Sequence, residues 1–69
     1  MRKRIRITTE YIKLDQLLKY EGLAESGSAA KETIISGLVS VNGEKETRRG
    51  RKIYRGDRIE YEGNEYTVE

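Results

Sequence analysis

An α+β fold, with two short helices followed by a small and mostly antiparallel sheet, is what this 69-residue sequence predicts. Three observations carry that expectation. Apolar residues recur at helical spacing twice before Gly37 and at a period of two after it. Each helical stretch ends on a glycine, Gly22 and then Gly37, suited to a left-handed cap. Asn42-Gly43 between alternating segments is the strongest short-range hairpin signal.

The elements follow in order. Arg4-Ile5-Arg6-Ile7-Thr8 alternates polar and apolar residues and reads as a short edge strand. Leu14, Leu17 and Leu18 form one apolar stripe of a first helix that Gly22 stops. A second helix starts near Ser26-Gly27-Ser28, where a serine hydroxyl can accept from free backbone N–H groups, and runs through Ala30 and Ile34. Both are too short to be stable alone, so they must pack on each other or on a sheet. Val39 and Val41 flank Ser40, and Glu44-Lys45-Glu46 returns after the hairpin turn. Arg48-Arg49-Gly50-Arg51-Lys52 reads as a polar loop, after which Ile53 drops back to the core. Arg55-Gly56-Asp57 turns into the alternating Arg58–Glu62 segment, and Glu62–Glu65 turns again into Tyr66-Thr67-Val68.

Length allows one core and one domain over residues 1–69. With 7 Ile, 5 Leu, 3 Val and 5 Tyr, that core is thin. The 38% charged residues are balanced by periodic spacing of the apolar ones, so the chain is expected to be globular. With no His and no Cys, a disulfide framework, a Cys/His metal site and a His-based catalytic triad are all excluded, and no cofactor is expected. The basic start, Met1 to Ile7, is followed by no apolar run of signal-peptide or membrane-spanning length. A cytoplasmic location without membrane contact is therefore expected. So is a monomer, although an unpaired strand near Ile5 would permit a dimer.

Net charge is only +2, but its placement is uneven. Residues 2–6 carry +4 and residues 45–58 carry +5, whereas residues 7–44 carry −3 and residues 59–69 carry −4. Such concentrated basic segments attract polyanions at range, although a solvated surface would show the same pattern.

The block Arg48, Arg49, Arg51 and Lys52 is the densest feature. Four cations within five residues repel one another, so the fold has no evident use for them, whereas a phosphate backbone does. Gly50 leaves the loop supple, and arginine forks suit phosphate oxygens. Tyr54 beside the block reads equally as a stacking ring or as a core tyrosine. Lys31, expected in the first turn of the second helix, is disfavoured there by the helix dipole unless an anion binds or Glu32 pairs with it. Ser26, Gly27 and Ser28 around that helix start form an anion-binding setting. Glu60, Glu62, Glu65 and Glu69 read as a solvated sheet face, and Ser36 and Ser40 have no base to activate them.

Taken in order, Lys13-Leu14-Asp15-x-Leu17-Leu18, Ser26 with Ala30-Lys31-x-x-Ile34-x-x-Gly37, Val39-x-Val41-Asn42-Gly43 and Gly56-Asp57-x-Ile59 resemble the S4 RNA-binding domain, named for the fourth protein of the small ribosomal subunit. The resemblance covers about residues 12–62, and the arginine block is similar to that of short stand-alone bacterial members. It implies an αL fold whose RNA-binding face joins the starts of both helices to the Val-Asn-Gly hairpin. Carried over, it implies Lys13, Ser26, Lys31, Asn42 and Gly43 as RNA contacts together with the basic loop. Many members have Ser-Arg at the start of the second helix, where this chain has Ser26-Gly27-Ser28. That difference shifts the expectation from a guanidinium contact to a phosphate cradled by backbone and the hydroxyls of Ser26 and Ser28.

The expected function is non-catalytic binding of structured RNA, ribosomal or transfer RNA, through phosphates. One alternative is a protein-interaction adaptor that docks ribosomal or assembly proteins through the acidic C-terminal hairpin. A small enzyme is disfavoured by the absence of His and Cys, and a sulfur carrier by the Thr67-Val68-Glu69 end.

Overall fold

The change of period at Gly37 divides the helices from most of the strands in the computed structural model, which describes all residues from Met1 to Glu69. In chain order the elements are β1 (Arg2–Ile5), β2 (Tyr11–Lys13), α1 (Leu14–Tyr20), α2 (Gly27–Ile35), β3 (Val39–Val41), β4 (Glu44–Lys45), β5 (Lys52–Tyr54), β6 (Arg58–Tyr61) and β7 (Asn64–Val68). Five strands form one sheet in the order β1-β7-β6-β3-β4, antiparallel except where β1 runs parallel to β7. A separate two-stranded ribbon pairs β2 with β5.

The apolar stripe of α1 is fully used: Leu14, Leu17 and Leu18 have no solvent exposure. Ala30 and Ile34 bring α2 onto the same cluster, which the sheet closes with Val39, Val41, Ile59 and Val68. Two helices too short to persist alone are thus held by burial of one face each. No helix is long and apolar enough to cross a membrane.

Turn chemistry is as the residues require. Asn42 and Gly43 both take positive φ, 52° and 86°, as a two-residue hairpin needs. Gly37 ends α2 at φ 77°, and a Cβ there would lie 2.9 Å from Lys45 Cδ.

Several boundaries differ from the expectation. The first strand covers Arg2–Ile5 rather than Arg4–Thr8. Ile5 and Ile7 are nevertheless both buried, and the parallel pairing runs on past Ile5: Glu69 N–H donates to the Ile5 carbonyl at 2.8 Å and Ile7 N–H to the Glu69 carbonyl at 3.0 Å. The returning strand covers Glu44–Lys45, and just beyond it Glu46 N–H donates to the Val39 carbonyl at 2.9 Å while its side chain is buried. Lys52 belongs to β5 rather than to a loop, since its partner strand β2 carries Lys13 directly opposite.

Candidate nucleic-acid interface

The basic loop is fastened at two levels. The first is backbone. Helix α1 begins after Lys13, whose side chain supplies no cap. Its first N–H groups are instead taken by the loop: Leu14 N–H donates to the Arg51 carbonyl at 2.9 Å, and Asp15 N–H to the Arg49 carbonyl at 3.1 Å. These bonds satisfy donors that the helix cannot. They also set a cluster of cations beside the positive end of a helix whose first turn holds one acid, Asp15, accepting from Gln16 N–H at 2.8 Å.

The second fastening is a carboxylate. Glu46 is 6% exposed and is the one charged residue in the buried set. Its Oε2 accepts from the backbone N–H of Thr47 and from the N–H and Nε of Arg48, at 3.0–3.1 Å. Its Oε1 accepts from Arg48 Nη2 at 3.1 Å and from Arg51 Nη1 at 2.7 Å. The hydrogen bonds from the Arg48 side chain, followed by those from Arg51, outweigh burial and hold the Glu46 carboxyl down at about 2. The same contact pushes the Arg48 guanidinium further up.

The fold therefore does have a use for part of the arginine block, contrary to the expectation from repulsion alone. Arg48 and Arg51 brace Glu46, although the Arg48 side chain still shows 73% of its surface to water. Arg49 and Lys52 are exposed and have no carboxylate within ion-pair distance. Lys13 and Lys52 face each other across the β2–β5 ribbon, so the start of α1, Lys13 and the block form one cationic surface.

The other anticipated residues lie elsewhere on the fold. Ser26 caps α2, its hydroxyl accepting from Ala29 N–H at 3.1 Å, while the Gly27 and Ser28 N–H groups have no intrahelical partner. Ser28 is exposed. Lys31 is the fifth helical residue and so stands beyond the first turn, where the dipole penalty has faded. It is exposed and is not paired with Glu32.

Asn42 is tied into the sheet: its Nδ2 donates to Asp57 Oδ1 at 3.1 Å and its Oδ1 accepts from Arg58 N–H at 2.9 Å. Gly43 is exposed at the turn. No hydrogen bond or ion pair joins this turn or the α2 start to the basic loop. The other basic segment, residues 2–6, is partly neutralised, with Lys3 Nζ 2.8 Å from Glu21 Oε1 and Arg2 Nε 3.7 Å from Glu65 Oε2.

Two participants escape the sequence reading. Glu46 looks like one more polar strand residue; its signal is a lone acid placed just before four cations. Tyr11 gives no signal, because its partner Tyr54 is distant in sequence.

Two short helices packed together on a mostly antiparallel sheet are the arrangement of the αL fold. The chain belongs to the S4 domain family, whose sequence profile matches residues 5–69. It is 48% identical over 59 residues to a Bacillus subtilis (strain 168) protein named "Probable ribosome maturation protein RlbA", covering 86% of this chain and 83% of that one. It is 41% identical over 58 residues to the Escherichia coli (strain K12) protein named "Putative RNA-binding protein YbcJ", covering 84% and 83%. The solution structure of E. coli YbcJ, described as revealing an αL motif involved in RNA binding, matches with a TM-score of 0.70 at 36% identity, over 94% of this chain and 84% of that one.

Proposed function

We propose that this protein binds structured RNA, ribosomal or transfer RNA, without catalysing a reaction. The observation that carries the reading is the docked basic loop. Its backbone is spent on capping α1, its buried acid is saturated by Arg48 and Arg51, and Arg49 and Lys52 remain exposed without a counter-charge. Kinship with proteins named for RNA binding and ribosome maturation supports the same reading. In this mechanism Arg49, Lys52, Lys13 and the exposed edges of Arg48 and Arg51 neutralise one phosphate backbone. Lys31 and the α2 start, with Ser26 and Ser28, hold a second stretch, and the Asn42-Gly43 turn lies at the edge of the contact.

Neutralising about four to six phosphates gives a slope of log K against log salt near −3 to −5. The test is a titration of a structured ribosomal RNA fragment and a matched DNA duplex at several salt concentrations. Arg49→Ala and Lys31→Ala are the informative variants, because neither residue braces Glu46. Each should weaken RNA binding and flatten the slope by a little under one. A flat salt response in the wild type, or equal RNA and DNA binding confined to low salt, overturns the proposal.

A second partner class is a ribosomal or assembly protein. Exposed Leu38 lines a groove with Glu60, Glu62 and Glu65 at the β6–β7 hairpin, chemistry that suits a basic segment bearing an apolar side chain. Loss of a pull-down on Glu62→Lys and Glu65→Lys, with RNA binding retained, would assign that face to a protein.

A further inference from the structure

The β2–β5 ribbon has two faces of opposite character. Register pairs Tyr11 with Tyr54, Ile12 with Ile53 and Lys13 with Lys52. Ile53 is fully buried and Ile12 packs on the core, so the alternate residues form the outer face: two tyrosines followed by two lysines. The rings of Tyr11 and Tyr54 are 5.8 Å apart and tilted by 48°. The Lys52 ammonium lies 4.9 Å from the centre of the Tyr11 ring. Tyr11 thus has neighbours in Tyr54 and Lys52, whereas Tyr54 is 43% exposed.

Two features of this face are unfavourable for the protein by itself. Tyr54 keeps 43% of its surface in water, and two lysines stand directly opposite each other with no carboxylate within ion-pair distance. Like charges in that position destabilise a ribbon. A ligand that brings both a flat apolar surface and a negative charge relieves both costs. A nucleotide with an unstacked base meets that description, while a base inside a duplex offers no free face.

We propose that the outer face of the β2–β5 ribbon is a stacking platform for an unpaired nucleotide of RNA. Tyr54 takes the base, Tyr11 backs it, and Lys13 and Lys52 hold the adjoining phosphate. This rests on the RNA-binding reading and extends it, since it makes the target an RNA with a loop, bulge or single-stranded end beside the helix that the arginine loop grips. Lys52 is both the last cation of the block and a member of the platform, so the two contacts are continuous along the chain.

The test compares a labelled RNA hairpin having an unpaired loop with a blunt RNA duplex of the same stem. Both are titrated with wild type, Tyr54→Ala, Tyr54→Leu and Tyr54→Phe. Leucine keeps apolar bulk without a ring, which guards against a folding defect in the alanine variant, and thermal melting checks each fold. Loss of one base–aromatic stack weakens hairpin binding by about fivefold to about 150-fold in the alanine and leucine variants. Tyr54→Phe restores wild-type binding, duplex affinity stays within about twofold, and the salt slope is unchanged because no cation is removed. If all four proteins bind the hairpin alike, or if hairpin and duplex lose equally, the platform is refuted while the phosphate-binding reading stands. If the wild type binds neither RNA, both fall together.

Discussion

Replacing Glu46 with glutamine separates what the arginine loop owes to charge from what it owes to shape. The carboxylate accepts five hydrogen bonds, three at Oε2 and two at Oε1. A glutamine has one acceptor oxygen. Placed at the three-donor site, it turns its amide NH2 toward Arg48 Nη2 and Arg51 Nη1, donor against donor at separations that were 3.1 and 2.7 Å. A carboxyl lowered from 4.5 to about 2 corresponds to about 3 kcal/mol of preference for the ionised form. The Arg48 side chain is 73% exposed, so solvent screening trims this to about 1–2 kcal/mol of folding stability. For a domain of this size that is a fall in Tm of about 5–15 °C. The RNA result discriminates further. Glu46→Gln raises net charge by one, so a purely Coulombic interface binds RNA more tightly. An interface that needs Arg48 and Arg51 held in place binds it more weakly. Calorimetry and an RNA titration on one preparation decide. A Tm within about 2 °C of wild type refutes the stability argument, and tighter RNA binding refutes the argument from shape.

Other outcomes follow from the same contacts. Because the folded Glu46 pKa is depressed, its contribution is fully present above about pH 4.5 and is lost as pH falls toward 2. Urea denaturation across that window should show a decline in wild type that is shallower in Glu46→Gln. Gly37→Ala forces a Cβ into the left-handed region and displaces the flexible Lys45 side chain, for a cost of about 1–2 kcal/mol in chemical denaturation. Asn42→Ala keeps the strained φ of 52° and forfeits the bonds to Asp57 and Arg58, so a loss of about 1–2 kcal/mol is expected by the same measurement.

What was legible in the sequence is what local chemistry decides. The leucine stripe, the glycine stops and the Asn42-Gly43 turn each depend on a few neighbouring residues, and each stands where the pattern put it. The ordered motif from Lys13 to Ile59 was specific enough to identify the αL fold, because several unremarkable fragments had to coincide at fixed spacing. The β2–β5 ribbon was not legible. Three residues, Tyr11-Ile12-Lys13, are too few to show a period, and their partners lie about forty positions away. The first strand begins earlier for a related reason: its alternation marks Ile5 and Ile7 as buried, but only pairing with β7 draws Arg2 and Lys3 into the ladder, opposite Glu65 and Tyr66. Glu46 was missed because solvated and buried glutamates look alike in sequence until the donors that converge on them are placed.

The buried acid also changes how a run of cations should be read. Repulsion within Arg48-Arg49-Gly50-Arg51-Lys52 suggests four groups all waiting for phosphate, and the structure divides them. Arg48 and Arg51 are drawn to one carboxylate, which shapes the backbone between them. That backbone then turns the Arg49 and Arg51 carbonyls onto the α1 N–H groups. With the carbonyls committed to the helix, the base of the loop is tied to α1, and Arg49 and Lys52 are displayed without carboxylate partners. A pre-shaped loop loses less conformational entropy on binding than a flexible one with the same charge. In the RNA complex proposed above, the single glutamate would strengthen the interface despite opposing it electrostatically, and removing the arginines that touch it would loosen the loop as well as weaken its grip.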